Sequence, residues 1–324
     1  MNVKQVFKSV LAASLVFSST FANADEWPAK PIRFIVAFAP GSTPDIVARL
    51  VSERLSQRIG KPVIVENKPG AAGNIGTDAV AKSAPDGYTF GVTISGPLAA
   101  NTLLFKKLPY NPQIDLEPVT IAATQPNVLV VSPQLDVHDM PSFLAKLRSN
   151  SGKLNYSSTG TGSISHLAMA ALGTRSESEI VHVPYAGSGQ AVVALISGET
   201  QMGLLPAAAV MPHVRAGKLK ALAVATAKRS SILPELPTLA ESGLQDIQGD
   251  AWIGFVAPAK TPAAVITKVQ TEISQIVKSD DMKQKLHTQF MEPVGGTAAE
   301  FQATVQSDLT RWQPVIKKNK ITLD

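Results

Sequence analysis

The chain has 324 residues, is 44% hydrophobic, lacks cysteine, and sets 30 Lys and Arg against 25 Asp and Glu for a formal charge of +5. That length supports one large or two medium domains with cores of their own. The lack of cysteine excludes disulfides, thiol nucleophiles and thiolate-held metals, and the small, scattered basic excess argues against a nucleic-acid partner.

Residues 1–24 differ in kind from the rest. "MNVKQVFKS" carries Lys4 and Lys8, "VLAASLVFSSTF" is apolar to small, and Ala22-Asn23-Ala24 supplies an A-x-A end. This is the pattern of a secretory signal peptide cut after Ala24. Its apolar core is too short to span a bilayer, and no later stretch reaches the ~18 uncharged apolar residues of a membrane helix. Removal of the leader with its two lysines lowers the formal charge from +5 to +3. A leader followed by a cysteine-free body places the mature protein in the bacterial periplasm.

From there strands and helices alternate, which predicts mostly parallel sheets. "IRFIVAF" is a strand. Pro44 suits the first turn of the next helix, with Asp45 near its positive end. Ile46, Val47, Leu50, Val51, Leu55 and Ile59 recur at helical spacing as a buried face, and Gly60 closes the helix. "KPVIVEN" is the second strand, and "KPGAAGNIGTDAVAKSAPDG" is a Gly-rich loop entering a helix. "YTFGVTISG" is the third strand. A second series begins at "NVLVVSP". "MPSFLAKLRSN" is a helix, and "KLNYSSTGTGSISHLAMAALG" reads strand, polar loop, helix. "EIVHVPYAGSGQAVVALISGE" and "TQMGLLPAAAVMPHVRAG" repeat that plan, and "LKALAVAT" is a further strand. "DAWIGFVAPAKTP" then leads into a helical tail, "AAVITKVQTEISQIVKS" and "AAEFQATVQSDLTRWQPVIKKN". Two series with a late return predict two lobes, residues 25–125 with 249–324 and residues 126–248, joined by crossings near Thr124–Asn127 and Gln248–Trp252.

Ligands of open α/β sheets bind at the carboxyl ends of strands. The Gly/Ser/Thr-rich segments lie there: Ala39–Asp45, Gly70–Gly76, Ser95–Gly96, Ser157–Ser163 and Tyr185–Gln190. Helix N-termini offer free N–H groups and partial positive charge, so these loops could converge on one acidic solute. Catalytic patterns are missing. "GTGSIS" resembles G-x-G-x-x-G but has Ser165 in the third glycine place. No G-x-S-x-G, H-E-x-x-H or H-x-H occurs, and the five histidines are dispersed. His166 follows one of the loops, where it could touch a ligand or serve in capping and packing. Asp45 fits a helix N-terminal charge better than a catalytic acid. No cofactor and no metal site is expected.

Several stretches together resemble the extracytoplasmic receptors of tripartite tricarboxylate transporters, the Bug family. They are "WPAKPIRFIVAFAPGSTPDIVARLV", "GKPVIVENKPGAAGNIGTDAVAKSAPDGYT", "KLNYSSTGTGSISHLA", "VPYAGSGQAVVALISGE", "AGKLKALAVAT" and "LPTLAESG", in that order. The resemblance covers almost everything from Trp27 onward. It implies a type II periplasmic-binding-protein-like α/β fold, two domains around a ligand cleft with two hinge crossings. It also implies a monomer that closes on an organic acid and docks on membrane permease subunits. A sensing receptor for a signalling partner, or a periplasmic hydrolase or isomerase, are the competing classes. The family holds its carboxylate mainly with backbone N–H groups and hydroxyls. Carried over by position, the implied ligand-binding set is Phe38, Ala39, Gly41, Thr43 and Asp45 in the first loop, with Asn74, Ser95 and Gly96 from the next two. The second lobe adds Ser157, Ser158, Thr159, Gly160, Ser163 and His166, then Tyr185, Ala186, Gly187 and Gln190. Ser42 replaces the family's second glycine. Ala186 and Leu205 are apolar where members often carry charge, which suggests an apolar wall and a dicarboxylate with an apolar middle or an aromatic carboxylate.

Overall fold

A computed structural model describes residues 27–323. The expected signal peptide lies outside the described residues. In chain order the first half contains β1 (Ile32–Val36), α1 (Thr43–Ile59), β2 (Val63–Asn67), α2 (Asn74–Ala81), β3 (Thr89–Ile94), α3 (Asn101–Leu104), α4 (Pro112–Asp115) and β4 (Leu116–Gln125). Next come β5 (Asn127–Val131), α5 (Met140–Ser149), β6 (Asn155–Ser158), α6 (Ile164–Arg175), β7 (Val181–Pro184), α7 (Ser188–Ser197), β8 (Met202–Pro206), α8 (Ala207–Arg215) and β9 (Lys220–Val224). The chain finishes with β10 (Ala251–Pro258), α9 (Ala263–Val277), α10 (Asp280–Thr288), β11 (Glu292–Pro293) and α11 (Ala298–Asn319).

The strands form two sheets, ordered β11-β4-β10-β3-β1-β2 and β7-β6-β8-β5-β9. The expectation of mostly parallel sheets needs correcting. The β1, β2 and β3 pairings and those of β6 with β7 and β8 are parallel, but β10 runs antiparallel to both β3 and β4. β5 is likewise antiparallel to both β8 and β9. The physical reason is the crossover. β4 and β10 carry the chain out of the first sheet and back into it, and a strand that returns beside its exit runs against it.

Local sequence explains the helices that matter. Val47, Val51 and Leu55 on α1 are at most 1% exposed, and Ile46, Leu50 and Ile59 pack around them. Each fully buried aliphatic side chain is worth roughly 1.5–3 kcal/mol. Gly60 ends the helix in the left-handed conformation, and its N–H bonds the Ser56 carbonyl. α11 opens on a capping box between Thr297 and Glu300 and spans the seam between the sheets. Its Trp312 and Ile316 belong to the same buried cluster as Leu129, Phe143 and Leu167 around the second sheet. Its Asp308 accepts from Trp252 Nε1 at 2.9 Å, and Arg311 reaches Gln248 at 2.8 Å. The helix thereby clasps the returning strand. The two crossings also touch directly: Asn127 Nδ2 donates to the Gly249 carbonyl at 2.6 Å.

Candidate functional site

β1 ends at Val36, and the chain turns through residues 38–42 into α1. Asp45, 2% exposed, braces this turn. One carboxylate oxygen accepts from the Gly41 N–H at 2.9 Å and from Arg49 Nε at 3.0 Å, and the other from Asn67 Nδ2 at 2.8 Å. Asn67 also donates to the Phe38 carbonyl at 3.0 Å. Burial pulls the Asp45 carboxyl upward, but Arg49, the Gly41 N–H and Asn67 outweigh it and hold it below the usual range. Asp45 is therefore spent inside the protein. It shapes the loop and leaves the adjacent helix N-terminus open. Ser42 sits at the N-cap of α1 but makes no capping bond, and its buried Oγ has no protein partner.

The second wall comes from the end of β3. Ser95 is 1% exposed, and its Oγ has no hydrogen-bond partner. Beside it Asn101 donates to Asn74 Oδ1 at 2.6 Å and to the Ala72 carbonyl at 3.2 Å, while the Tyr110 hydroxyl lies 2.9 Å from the same Asn74 oxygen. Asn74 thus anchors Asn101 from behind.

The third wall is the loop between β6 and α6. Ser163 caps α6 through the His166 N–H and donates to the Gly160 carbonyl at 2.7 Å. Ser158 is wholly buried, and its Oγ lies 2.7 Å from His182 Nε2 while accepting the Gly160 N–H at 3.2 Å. His166 Nδ1 accepts the Gly162 N–H at 3.0 Å, which puts the imidazole proton on Nε2. The two imidazoles stack with centroids 3.7 Å apart, and Tyr156 stacks beyond them. Burial lowers His182 to about 4 and His166 to about 3, the latter helped by His182, so both rings are neutral near pH 7. The Ser158–His182 contact has the atoms of a nucleophile–base pair, but the serine is sealed beneath its own loop. It is a brace.

These walls enclose a cavity of about 340 Å³ between the lobes. Phe38, Thr43, Ser95, Gly96, Thr159, Gly160 and Ser163 border it. So do Ser42, Gln125, Asn127, Thr161, Ser165, Ile94, Ile253 and Leu323, which the sequence reading left out of the site. No described lining residue carries a formal charge. Four lining residues present a buried polar atom without a protein partner: the hydroxyls of Ser42, Ser95 and Ser165, and Asn127 Oδ1.

Other expected residues stand elsewhere. Ala39 and Gly41 are exposed at the loop tip. Asp45, Asn74, Ser158 and His166 support the walls from behind. Ser157 is fully buried in β6. Tyr185, Ala186, Gly187 and Gln190 follow β7, an edge strand, and do not border the cavity. There the Tyr185 hydroxyl bonds Glu199, and the Ala186 N–H bonds Gln190. Leu205, within β8, is 0% exposed in the core, and Pro206 takes the cavity-facing place. The apolar wall is built instead from Phe38, Ile94, Ile164, Ile253 and Leu323. Ser42 drew notice as a departure, and Gln125 and Asn127 as part of a crossing. Nothing in the sequence pointed to Leu323.

Three larger clefts, about 490, 670 and 720 Å³, open elsewhere on the surface. The 670 Å³ cleft is lined by already paired charges such as Arg175 with Asp246. The smaller cavity, unlike these clefts, gathers the loops that follow β1, β3 and β6, and so it is the candidate site.

The chain matches the family model described as tripartite tricarboxylate transporter family receptor over residues 47–321. It is 34% identical to the protein BugT of Bordetella pertussis, covering 91% of each chain. Among solved structures it resembles R. palustris Rpa4515 with adipate at 34% identity and a TM-score of 0.81, covering 92% of this chain and 99% of that one. It also resembles MatC (Rpa3494) of Rhodopseudomonas palustris with bound malate at 30% identity and a TM-score of 0.75, covering 90% and 100%. The chain belongs to the receptor family of tripartite tricarboxylate transporters, and is a periplasmic-type solute-binding protein rather than an enzyme.

Proposed function

We propose that the cavity captures a small organic acid, a dicarboxylate with an apolar middle or an aromatic carboxylate, and that the loaded protein delivers it to membrane permease subunits. The observation that carries this reading is a lining without formal charge among the described residues, largely apolar but with three unpartnered hydroxyls. The N-termini of α1 and α6 approach the cavity from opposite lobes, through Thr43 and Ser163. Each offers N–H groups and partial positive charge to a carboxylate. Between them the apolar wall suits a methylene chain or ring. An ammonium would find no counter-charge among the described lining residues, and burying it unpaired costs several kcal/mol. Amino acids are thereby disfavoured. Citrate, with three carboxylates and a hydroxyl, is a poorer match.

The relatives solved with adipate and with malate support a carboxylate ligand. Secretion follows from the leader, with cleavage after Ala24. The two lobes, 25–125 with 249–324 and 126–248, close about the contact between Asn127 and Gly249. Calorimetric competition among terephthalate, adipate, citrate and glutamate, with the protein beginning at Asp25, tests the reading. Adipate or terephthalate should bind at least tenfold tighter than the other two. A tenfold preference for glutamate or citrate overturns the ligand class, and conversion of a bound acid to product, seen by mass spectrometry, overturns the receptor role.

A further inference from the structure

We propose that the segment following α11 is part of the ligand site, and that Leu323 sets the length of acid the cavity accepts. The inference rests on the carboxylate reading above. After α11 the chain reverses at Lys320, which adopts the left-handed conformation with φ 51°, and the Ile321 N–H bonds back to the Ile316 carbonyl at 3.1 Å. Two residues on, the Leu323 N–H donates to the Leu104 carbonyl at 3.1 Å. That bond straps the segment to α3, the helix that follows β3 in the first lobe.

The Leu323 side chain borders the cavity, and it also touches the second lobe. A β-carbon built on Gly162 would lie 2.9 Å from Leu323 Cδ1 and 2.7 Å from Leu104 Cδ1. The loop between β6 and α6 therefore seats directly on these two leucines. Leu323 is thus held by one lobe and pressed against the ligand loop of the other. It is an apolar surface on the seam between the lobes. Phe38, Ile94 and Ile253 supply the other apolar surface from elements of the first sheet. A solute long enough to pass between the two polar ends must share that space with the Leu323 methyls.

Leu323→Ala and Leu323→Phe, made in the full chain, change this space in opposite directions. Circular dichroism establishes that both fold. Titration with the straight α,ω-diacids from succinate to suberate then reads the preferred length. We expect Leu323→Ala to move the optimum one or two methylenes longer, with about fourfold in affinity for each methylene newly buried, and Leu323→Phe to move it shorter. If wild type binds these acids and both variants keep its length preference, the role of Leu323 is refuted while the carboxylate reading stands. If wild type binds none of them, that reading fails and this inference fails with it.

Discussion

Ser95 borders the cavity and Ser158 braces its opposite wall from behind; both are buried, at 1% and 0% exposed, yet their replacement by alanine should have opposite effects on the empty protein. Ser95 Oγ has no partner among the described residues. Its burial leaves a desolvated hydroxyl worth about 1–3 kcal/mol of instability, which Ser95→Ala removes. Empty Ser95→Ala should melt roughly 2–4 °C above wild type. The same hydroxyl is free to donate to a carboxylate, and a hydrogen bond to a charged group is worth roughly 1.5–3 kcal/mol, so affinity should fall about ten- to a hundredfold. Ser158 Oγ bonds His182 and the Gly160 N–H, and truncating it strands both. Ser158→Ala should therefore lower the empty protein's stability by about 1–3 kcal/mol, with affinity lost only through a loosened loop. Differential scanning fluorimetry of the empty proteins and calorimetry with adipate read both quantities. The reasoning is refuted if Ser95→Ala melts lower than wild type and binds as wild type does.

Asp45→Asn should weaken binding through the loop, since its charge-assisted bonds to the Gly41 N–H, Arg49 and Asn67 become neutral ones. Urea unfolding should show a loss of about 1–3 kcal/mol, and that loss should shrink as the pH drops below 3.8, where the unfolded chain takes up the proton first, and vanish once the pH passes the lower folded value and the folded carboxyl is protonated too. His166 and His182 lie below their usual 6.5 when folded, so the unfolded chain takes up their protons first and stability falls as pH drops below 6.5. At pH 5 the loss is roughly 1–2 kcal/mol per ring, and His182→Gln should flatten the slope of Tm against pH between 6.5 and 5. Asp250, raised to about 6 by burial above all, works in the opposite direction as pH falls through 6, so Asp250→Asn should steepen that slope. Leu205→Ala should cost about 2–5 kcal/mol and leave the order of preference among acids unchanged, because Leu205 is core.

Periodicity made the βα units legible. Val47, Val51 and Leu55 were readable as a buried face because a helix on a sheet imposes that spacing. β4 and β10 were not readable as a pair, since central antiparallel strands separated by more than a hundred residues leave no local sign of each other. The same asymmetry governs the site. Loops such as Ser157–Ser163 are legible from composition, because glycine and hydroxyl residues mark a strand-to-helix turn, although Ser157 and Ser158 belong to β6 itself. Which hydroxyls remain unpartnered depends on neighbours distant in sequence. Ser42 and Ser158 look alike in the chain, and only the folded position of His182 separates a donor left free from one already used. Leu323 had no signature because its role comes from where α11 delivers it.

A receptor must release what it captures, and the uncharged lining bears on that requirement. A buried arginine facing the carboxylate would gain Coulomb energy but would also have to be desolvated on every closure, two terms that largely cancel. Serine hydroxyls and helix N-termini carry smaller desolvation penalties and are already oriented by the sheets behind them. Here the charges are kept one layer back. Asp45 and Arg49 neutralise each other while fixing the first loop, and Asp308 and Arg311 do the same where α11 clasps the returning strand. Rigid charge pairs thus hold the walls, and neutral donors meet the solute. The proposed closure then depends on contacts made only when both lobes touch the ligand, the differential free energy that a population shift requires.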